Sequence, residues 1–591
     1  MTAQQESPVA AGFRGHIDFF GYHPGAGGFV FGGWVSHPAA DAIPQCELVL
    51  GFAEHDVHGR GMAAFYPREG LGKIGVGMVL FVPAAGRPEG EFFSITTREH
   101  GGRLAVTPTR DARECDEAEL AALLTPLLRD ARPPLPARLV RKLLPDWVRP
   151  RPRYTGASTL DTLSQTVLAS VDHALLCPPD GIALLGWLQA EPGVVAAVRL
   201  HGGERVAEID LARTVRVPRA GVAAETARIG LDEVRCGFVA FAADVWSPGA
   251  AFHLEIETTA GEVAYHPVPA PRLHGMAAVR KLLEDCDLQF ADVAPAFDEV
   301  LGPAIARLAA ARLRTPPGVA RIDFGPPPPA PATTVVVPLY GRLDYLEPQL
   351  ALFAHDPAMR DAELLYVLDE PARRREAENL CDSLFARLDL PFSLLALDRN
   401  LGFGPASNAG LAAARGATLC FLNSDAFPLH PGWLPALAAR LAADERLGIV
   451  GPLLLREDGT VQHEGMAFHR LPRHGNWFFS HHLREGLRPE GEGLAPALAV
   501  TGACMVMPTA LARTLGGFDP RYLVGDFEDS DLCLRARREG YGCAVDRDVR
   551  LCHLGRRSQG SAEERWRMNL VLFNAWAHHA RWADTLAGVA G

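Results

Sequence analysis

The chain has 591 residues, too many for a single hydrophobic core, and its length implies about three domains. A hydrophobic share of 48% and a charged share of 22% are those of ordinary globular protein. The formal net charge of −12 argues against a nucleic-acid binder, which would carry a basic face.

The opening residues, MTAQQESPVAAGFRGH, lack the charged-then-apolar layout of a signal peptide, and no apolar run is long enough to cross a bilayer. Eleven cysteines (46, 115, 177, 236, 286, 381, 420, 504, 533, 543 and 552) include no CxxC pair, and most sit within apolar segments. Their odd number and placement suggest reduced, buried thiols. Together these features point to a cytoplasmic protein, with any membrane contact peripheral.

Residues 12–112 and 160–270 read as two copies of one all-β unit. Gly28-Phe29-Val30-Phe31-Gly32-Gly33-Trp34 aligns with Gly181-Ile182-Ala183-Leu184-Leu185-Gly186-Trp187. Gly77-Met78-Val79-Leu80-Phe81 aligns with Gly237-Phe238-Val239-Ala240-Phe241, and Phe92-Phe93-Ser94-Ile95-Thr96 with Phe252-His253-Leu254-Glu255-Ile256. Short alternating runs between Gly, Pro and Asp turns predict a β-sandwich in each copy. Helical segments follow at 113–155 and 271–314, sharing Leu139-Val140-Arg141-Lys142-Leu143-Leu144 and Ala278-Val279-Arg280-Lys281-Leu282-Leu283. The repeat resembles the G-x-x-x-GW β-sandwich modules attached to bacterial glycosyltransferases. Trp34 and Trp187 are either sugar platforms or core residues beside a tight glycine, and the core reading is favoured.

Residues 315–332, TPPGVARIDFGPPPPAPA, are proline-dense and predict an extended spacer without helix or sheet. From 333 to 591 strands alternate with helices, which implies a mostly parallel sheet covered on both faces. The expected strands are Thr333–Pro338, Glu363–Leu368, Ser393–Leu397 and Thr418–Leu422, with a helix at Pro405–Arg415 and a further strand at Val545–Cys552. Ligands of such sheets bind at the carboxyl ends of the strands, where Asp369, Asn423 and Asp425 fall.

Asp526, Glu528, Asp529 and Asp531 lie within six positions. Such a cluster serves a metal, a cationic partner or general-base chemistry, or it is an acidic helix start complementing the helix dipole. Asp531 and Arg535 are spaced to pair on one helix face, and Asp526 suits a turn. A hard divalent cation carrying a diphosphate needs only one or two protein carboxylates, so Asp425 suffices, and an imidazole at His553 suits Mn²⁺ better than Mg²⁺.

Residues 333 to about 576 resemble a family 2 glycosyltransferase of GT-A fold (a Rossmann-like nucleotide-diphospho-sugar transferase), close to the rhamnosyltransferase-like members. The resemblance rests on seven segments in order: Val335-Val336-Val337-Pro338-Leu339-Tyr340 with Asp369; Asn400 to Gly410; Phe421-Leu422-Asn423-Ser424-Asp425; Thr501-Gly502-Ala503-Cys504; Gly516-Gly517-Phe518-Asp519; Glu528 to Arg535; and His553. It implies that Pro338, Tyr340 and Asp369 line the nucleotide pocket, Asp369 accepting a hydrogen bond from the base, and that Asn408 contacts the nucleotide. It further implies that Asn423 and Asp425 end a DXD-type motif with Asp425 on the metal, that His553 completes the metal shell, and that Glu528 and Asp529 form the catalytic pair with Asp529 the base. The chain departs from the pattern at Asp369-Glu370-Pro371, at Gly341 after Tyr340, and at Asn423 in place of the first Asp.

The implied activity is inverting transfer of a hexosyl group from a nucleotide-diphosphate sugar to a glycan or glycolipid acceptor, assisted by Mn²⁺ or Mg²⁺, in cell-surface polysaccharide biosynthesis. The alternatives are a carbohydrate-binding scaffold with an idle transferase domain, and a nucleotide-sugar hydrolase. The aromatic and basic stretch Arg470–Gly493 is expected to be a long loop touching the acceptor. Glu563–Ala583, with Trp566, Trp576 and Trp582, is expected to be a terminal helix docked on its own domain, or else one resting on lipid headgroups.

Overall fold

The computed structural model describes residues 14–43, 47–53, 56–71, 73–97, 104–133, 135–144, 153–247, 249–288, 292–555 and 565–588. Each N-terminal copy has eight strands. In the first they are Arg14–His23, Gly28–Ser36, Glu47–Phe52, Asp56–Arg60, Met62–Tyr66, Gly75–Pro83, Phe92–Thr97 and Leu104–Glu114. In the second they are Val167–Cys177, Gly181–Ala190, Val195–Gly202, Arg205–Ile209, Val215–Val217, Gly237–Ala242, Phe252–Thr258 and Val263–Pro267. Counted within each copy, the neighbours run fourth–third–seventh–eighth and first–second–sixth–fifth in both. Parallel pairing of Arg14–His23 with Leu104–Glu114 fuses the first copy into one eight-stranded sheet, whereas the second has two sheets of four.

The aligned motifs coincide in register. Trp34 lies opposite Gly77 as Trp187 lies opposite Gly237. The glycine before each tryptophan has a steric cause, since a Cβ at Gly33 would stand 2.0 Å from the His16 carbonyl oxygen and one at Gly186 would stand 2.2 Å from that of Ser170. Both tryptophans are only half-buried and lie outside the apolar clusters, which corrects the expectation of core residues.

In the second copy, Ile182 and Leu184 point into an apolar cluster shared with Leu254 and Ile256 of the facing sheet. Ala183 and Leu185 point the other way, against the helices that follow. Gly275–Glu284 buries Ala278, Val279, Leu282 and Leu283, and Gly302–Arg312 buries Ile305 and Leu308. These side chains share one cluster with Trp477, Tyr522, Phe527 and the C-terminal helix Arg565–Ala587, so the helical segment is wedged between the second β unit and the α/β domain. The terminal helix is thereby docked on protein, with Trp566, Phe573, Asn574, His578 and Trp582 buried.

The C-terminal sheet has four parallel strands, Thr333–Leu339, Glu363–Leu368, Phe392–Leu397 and Thr418–Leu422. Spatially they run third–second–first–fourth, so chain order reverses between Thr333–Leu339 and Thr418–Leu422, where a crevice opens at the carboxyl ends. Beyond the fourth strand follow Cys504–Pro508, Leu447–Leu455, Gly542–His553 and Ala426–Pro428. At the opposite edge lies Val319–Phe324, antiparallel to Phe392–Leu397. The proline-dense stretch therefore contains an edge strand, contrary to expectation, because its prolines flank VARIDF and leave every amide of that run able to donate.

Arg470–Gly493 is not a simple loop. Met466–Leu471 and Trp477–His482 form a hairpin, with Trp477 and Phe478 buried. The ten described cysteines are free, nine of them buried, while Cys46 lies outside the described residues. No helix among the described residues is long and apolar enough to cross a membrane.

Candidate functional site

The crevice holds two chambers that meet at Phe403, Asn423 and Asp425. The smaller, about 500 Å³, is faced by Pro338, Tyr340, Asp369, Asn400 and Gly402. The larger, about 710 Å³, is faced by Gln462, His463, His482, Glu528, Asp529 and His553. Nucleotide-side and catalytic-side candidates are thus sorted to opposite sides of Asp425.

On the smaller side, Asp369 follows its strand directly and is 3% exposed. Its Oδ1 accepts from the Leu401 amide at 2.6 Å, and its Oδ2 accepts from the Gly402 amide at 2.7 Å and Asn400 Nδ2 at 3.2 Å. Burial pushes its carboxyl up to about 7, against those amides and Arg312, which favour the charged form. Tyr340 is half-exposed at the mouth.

Asn423, Ser424 and Asp425 form the turn after the fourth parallel strand. Gln349, fully buried, donates from Nε2 to the Asn423 and Ala426 carbonyls at 3.0 and 2.9 Å while its Oε1 accepts from Tyr366. A lone glutamine in a helix gives no sequence signal for this role. Asp425 is 4% exposed, and its Oδ1 lies 3.2 Å from His553 Nε2. Gln462 Oε1 stands 2.6 Å from His553 Nδ1, which fixes the ring proton there, and Asn423 Nδ2 donates to Nε2 at 3.3 Å. The unprotonated Nε2 therefore lies between Asn423 and Asp425, while Gln462 holds the other ring nitrogen, as the partners of metal-binding histidines commonly do.

Among the described residues no group of three or more His, Cys, Asp or Glu forms a metal cage. The pair still fits a cation that takes its other ligands from phosphate and water. Two ligands each about 2.1 Å from one octahedral ion stand about 3 Å apart, close to the separation seen.

On the larger side, the helix Glu528–Arg538 begins at the chamber wall. Asp529 Oδ2 accepts from the Gly502 amide at 3.0 Å and Oδ1 from the Ser530 amide at 2.7 Å, which aims the carboxylate. Glu528 is 7% exposed, with its Oε2 buried and unpaired. Burial and the neighbouring Asp529 and Asp526 hold its carboxyl well above the usual range, which favours the protonated form. Val524, Asp526 and Phe527 all have positive φ, at 64°, 78° and 74°. Strain of this kind persists only where surroundings enforce it, and here fully buried Asn574 does so, holding Leu523 and Gly525 through three hydrogen bonds.

Asp531 plays a structural part. Fully buried, it accepts from Arg535 Nε at 2.7 Å, as its spacing predicts, and also from Tyr522, Arg581 and Trp582. His463, 1% exposed, accepts the Thr501 amide at Nε2 and stands 2.6 Å from His482 through Nδ1; burial and the two neighbouring imidazoles, His482 and His553, keep it neutral.

One expected residue is elsewhere. Asn408 faces neither chamber; its Nδ2 donates to the Phe518 carbonyl at 2.8 Å and its Oδ1 accepts the Phe518 amide at 2.9 Å. Its amide joins the helix Phe403–Ala413 to the Phe518 segment. The structure thus brings Pro338, Tyr340, Asp369, Asn423, Asp425, Glu528, Asp529 and His553 to one crevice and leaves Asn408 behind it.

Residues 334–492 match the family model described as "Glycosyl transferase family 2", so this stretch is a glycosyltransferase domain. The chain is 28% identical over 258 residues to "O-antigen biosynthesis protein RfbC" of Myxococcus xanthus, across 42% of this chain and 19% of that protein. It is 30% identical over 154 residues to "Uncharacterized protein y4gI" of Sinorhizobium fredii, across 24% of this chain and 16% of that one. The chain therefore spans less than a fifth of the length of either relative. A solved structure of GalNAc-T7 with UDP, GalNAc and Mn²⁺ is similar at 16% identity and a TM-score of 0.34, covering 42% of this chain and 50% of that one.

Proposed function

We propose, for a chain carrying a family 2 glycosyltransferase domain, that it is an inverting glycosyltransferase using a nucleotide-diphosphate sugar. The observation that carries this reading is the sorting of the crevice: nucleotide-side residues in the smaller chamber, Asp529 in the larger, and Asp425 where the two meet. The donor lies with its base near Asp369 and its diphosphate at Asp425, so that its anomeric carbon faces the larger chamber. The acceptor occupies that chamber with one hydroxyl at Asp529. Asp529 takes the hydroxyl proton as the acceptor oxygen bonds to the anomeric carbon and the bond from that carbon to the diphosphate oxygen breaks. One displacement inverts the centre, and no covalent intermediate forms.

Asp425 and His553 would hold a divalent cation, Mn²⁺ or Mg²⁺, whose chemistry there is to neutralise the diphosphate leaving group. Glu528 lines the larger chamber in surroundings that favour its protonated form, which suits it to donate a hydrogen bond to the acceptor or its sugar instead of acting as a second base. The site suits a glycan or glycolipid acceptor of cell-surface polysaccharide assembly, reached from the cytoplasm at the membrane's inner face. The two N-terminal units are read as β-sandwich modules that carry the transferase, supported by their shared strand order.

The test is a panel of nucleotide-sugars scored for nucleoside-diphosphate release with and without Mn²⁺ in the presence of glycan acceptors. Release coupled to a glycosylated acceptor is expected, and Asp425→Ala should lose both release and its cation dependence. Release of free sugar into water would favour a hydrolase. Binding of glycans without any release would favour the scaffold.

A further inference from the structure

Part of the smaller chamber is built by residues outside the stretch that matches the glycosyltransferase family. Met276, Ala277 and Arg280 of Gly275–Glu284 and Trp566 and Arg567 of the terminal helix face it, together with Asp369 and Asp425. The contact is tightly built. Asn569, 6% exposed, donates to the Leu283 and Cys286 carbonyls at 2.8 and 2.9 Å, tying the end of the first helix to the second. Trp566 is 9% exposed and carries a guanidinium against its ring from each helix, Arg280 at 5.3 Å and Arg567 at 5.0 Å. Arg280 Nε also donates to Glu284 Oε1 at 2.8 Å. Cation–π contact and this hydrogen bond limit where the two guanidinium groups can go.

The charges at the chamber then define what it accepts. Its lining carboxylates are Asp369 and Asp425, and its lining cations are Arg280 and Arg567. A diphosphate brings about two negative charges beside Asp425, more than one divalent ion offsets, and planar guanidinium groups match phosphate oxygens in pairs. We propose that Arg280 and Arg567, fixed on either side of Trp566, bind the diphosphate of the donor, so that the donor site is shared between the transferase domain and the helix after the second β unit. This rests on the donor-site reading above. Arg280 belongs to the motif repeated at Arg141, but the first copy's Leu139, Val140 and Leu143 pack into that copy's own cluster. Among the described residues, it is the second copy's helix that faces the crevice.

The experiment is calorimetric titration of the full chain with UDP, GDP, ADP and dTDP in Mn²⁺, and displacement of each by its free nucleoside. Wild type is compared with Arg280→Ala, Arg280→Lys and Arg567→Ala, all checked for an unchanged melting temperature. Each Ala variant is expected to lose about 10- to 100-fold in diphosphate affinity, as for lost hydrogen bonds to a charged group, with nucleoside affinity within about twofold and Arg280→Lys intermediate. Equal diphosphate affinity in wild type and both Ala variants would overturn the inference while leaving the donor site intact. Equal weakening of nucleoside and diphosphate would also overturn it, because it would mark the arginines as wall packing. If wild type binds none of the diphosphates, the donor-site reading falls and this inference with it.

Discussion

On the proposed donor site, the buried carboxylate of Asp369 sets the pH range of nucleotide binding. With its carboxyl near 7, it is mostly protonated at pH 6 and mostly ionised at pH 8. Only the ionised form offers a full acceptor to a base N–H, so nucleotide affinity should rise with pH, by about tenfold between pH 6 and 8. Titration of the nucleoside diphosphate across that range checks this; Asp369→Asn should flatten the dependence. Residue-level roles were unevenly legible in the sequence. Asp369, Asp425 and His553 stood out because each follows an apolar strand run. The bond from Asn408 to Phe518 was not legible because the two are 110 positions apart, and Gln349 and Gln462 were invisible because a solitary glutamine carries no pattern.

At the scale of elements, the helix Glu528–Arg538 is held by the terminal one. Asn574 holds the strained segment 523–527, and Asp531 is gripped by Arg581 and Trp582 from the same helix. Asn574→Ala would leave a buried amide and carbonyls unsatisfied, at a cost of about 3 kcal/mol. Urea unfolding should report that loss, and turnover should fall more than nucleotide affinity, since the segment leads directly into Glu528 and Asp529 and gives the smaller chamber only Val524. The parallel strands were readable within a residue or so from apolar runs and turn residues. Val319–Phe324 was hidden by flanking prolines, and the hairpin at 466–482 by its mixture of aromatic and basic residues. The N-terminal repeat was legible down to its register, because the glycine–tryptophan pair is fixed by backbone contact on the neighbouring strand.

For the whole molecule, the wedge of helices packs the C-terminal domain against the second β unit in one apolar cluster, and a buried histidine ties its stability to pH. His578, fully buried, donates from Nε2 to Ser530 Oγ under the catalytic helix, and burial, helped by His579 and Arg581, lowers it to about 3. Its folded value lies below the ordinary 6.5, so the unfolded chain takes up the proton first. Its contribution to stability is complete above pH 6.5 and is lost as pH falls toward 3, at up to about 1.4 kcal/mol per pH unit. Unfolding followed from pH 7.5 to 5 should show stability falling in this direction, with a shallower slope in His578→Gln.

The central claim is that Asp529 is the base and that donor binding is separable from it. The most direct measurement is donor affinity and single-turnover transfer in wild type, Asp529→Asn and Glu528→Gln. Asp529→Asn should bind donor with wild-type affinity and transfer sugar about 10²- to 10⁴-fold more slowly, while Glu528→Gln, which keeps a hydrogen-bond donor, should stay within about tenfold of wild type. Transfer by Asp529→Asn at the wild-type rate would contradict the account.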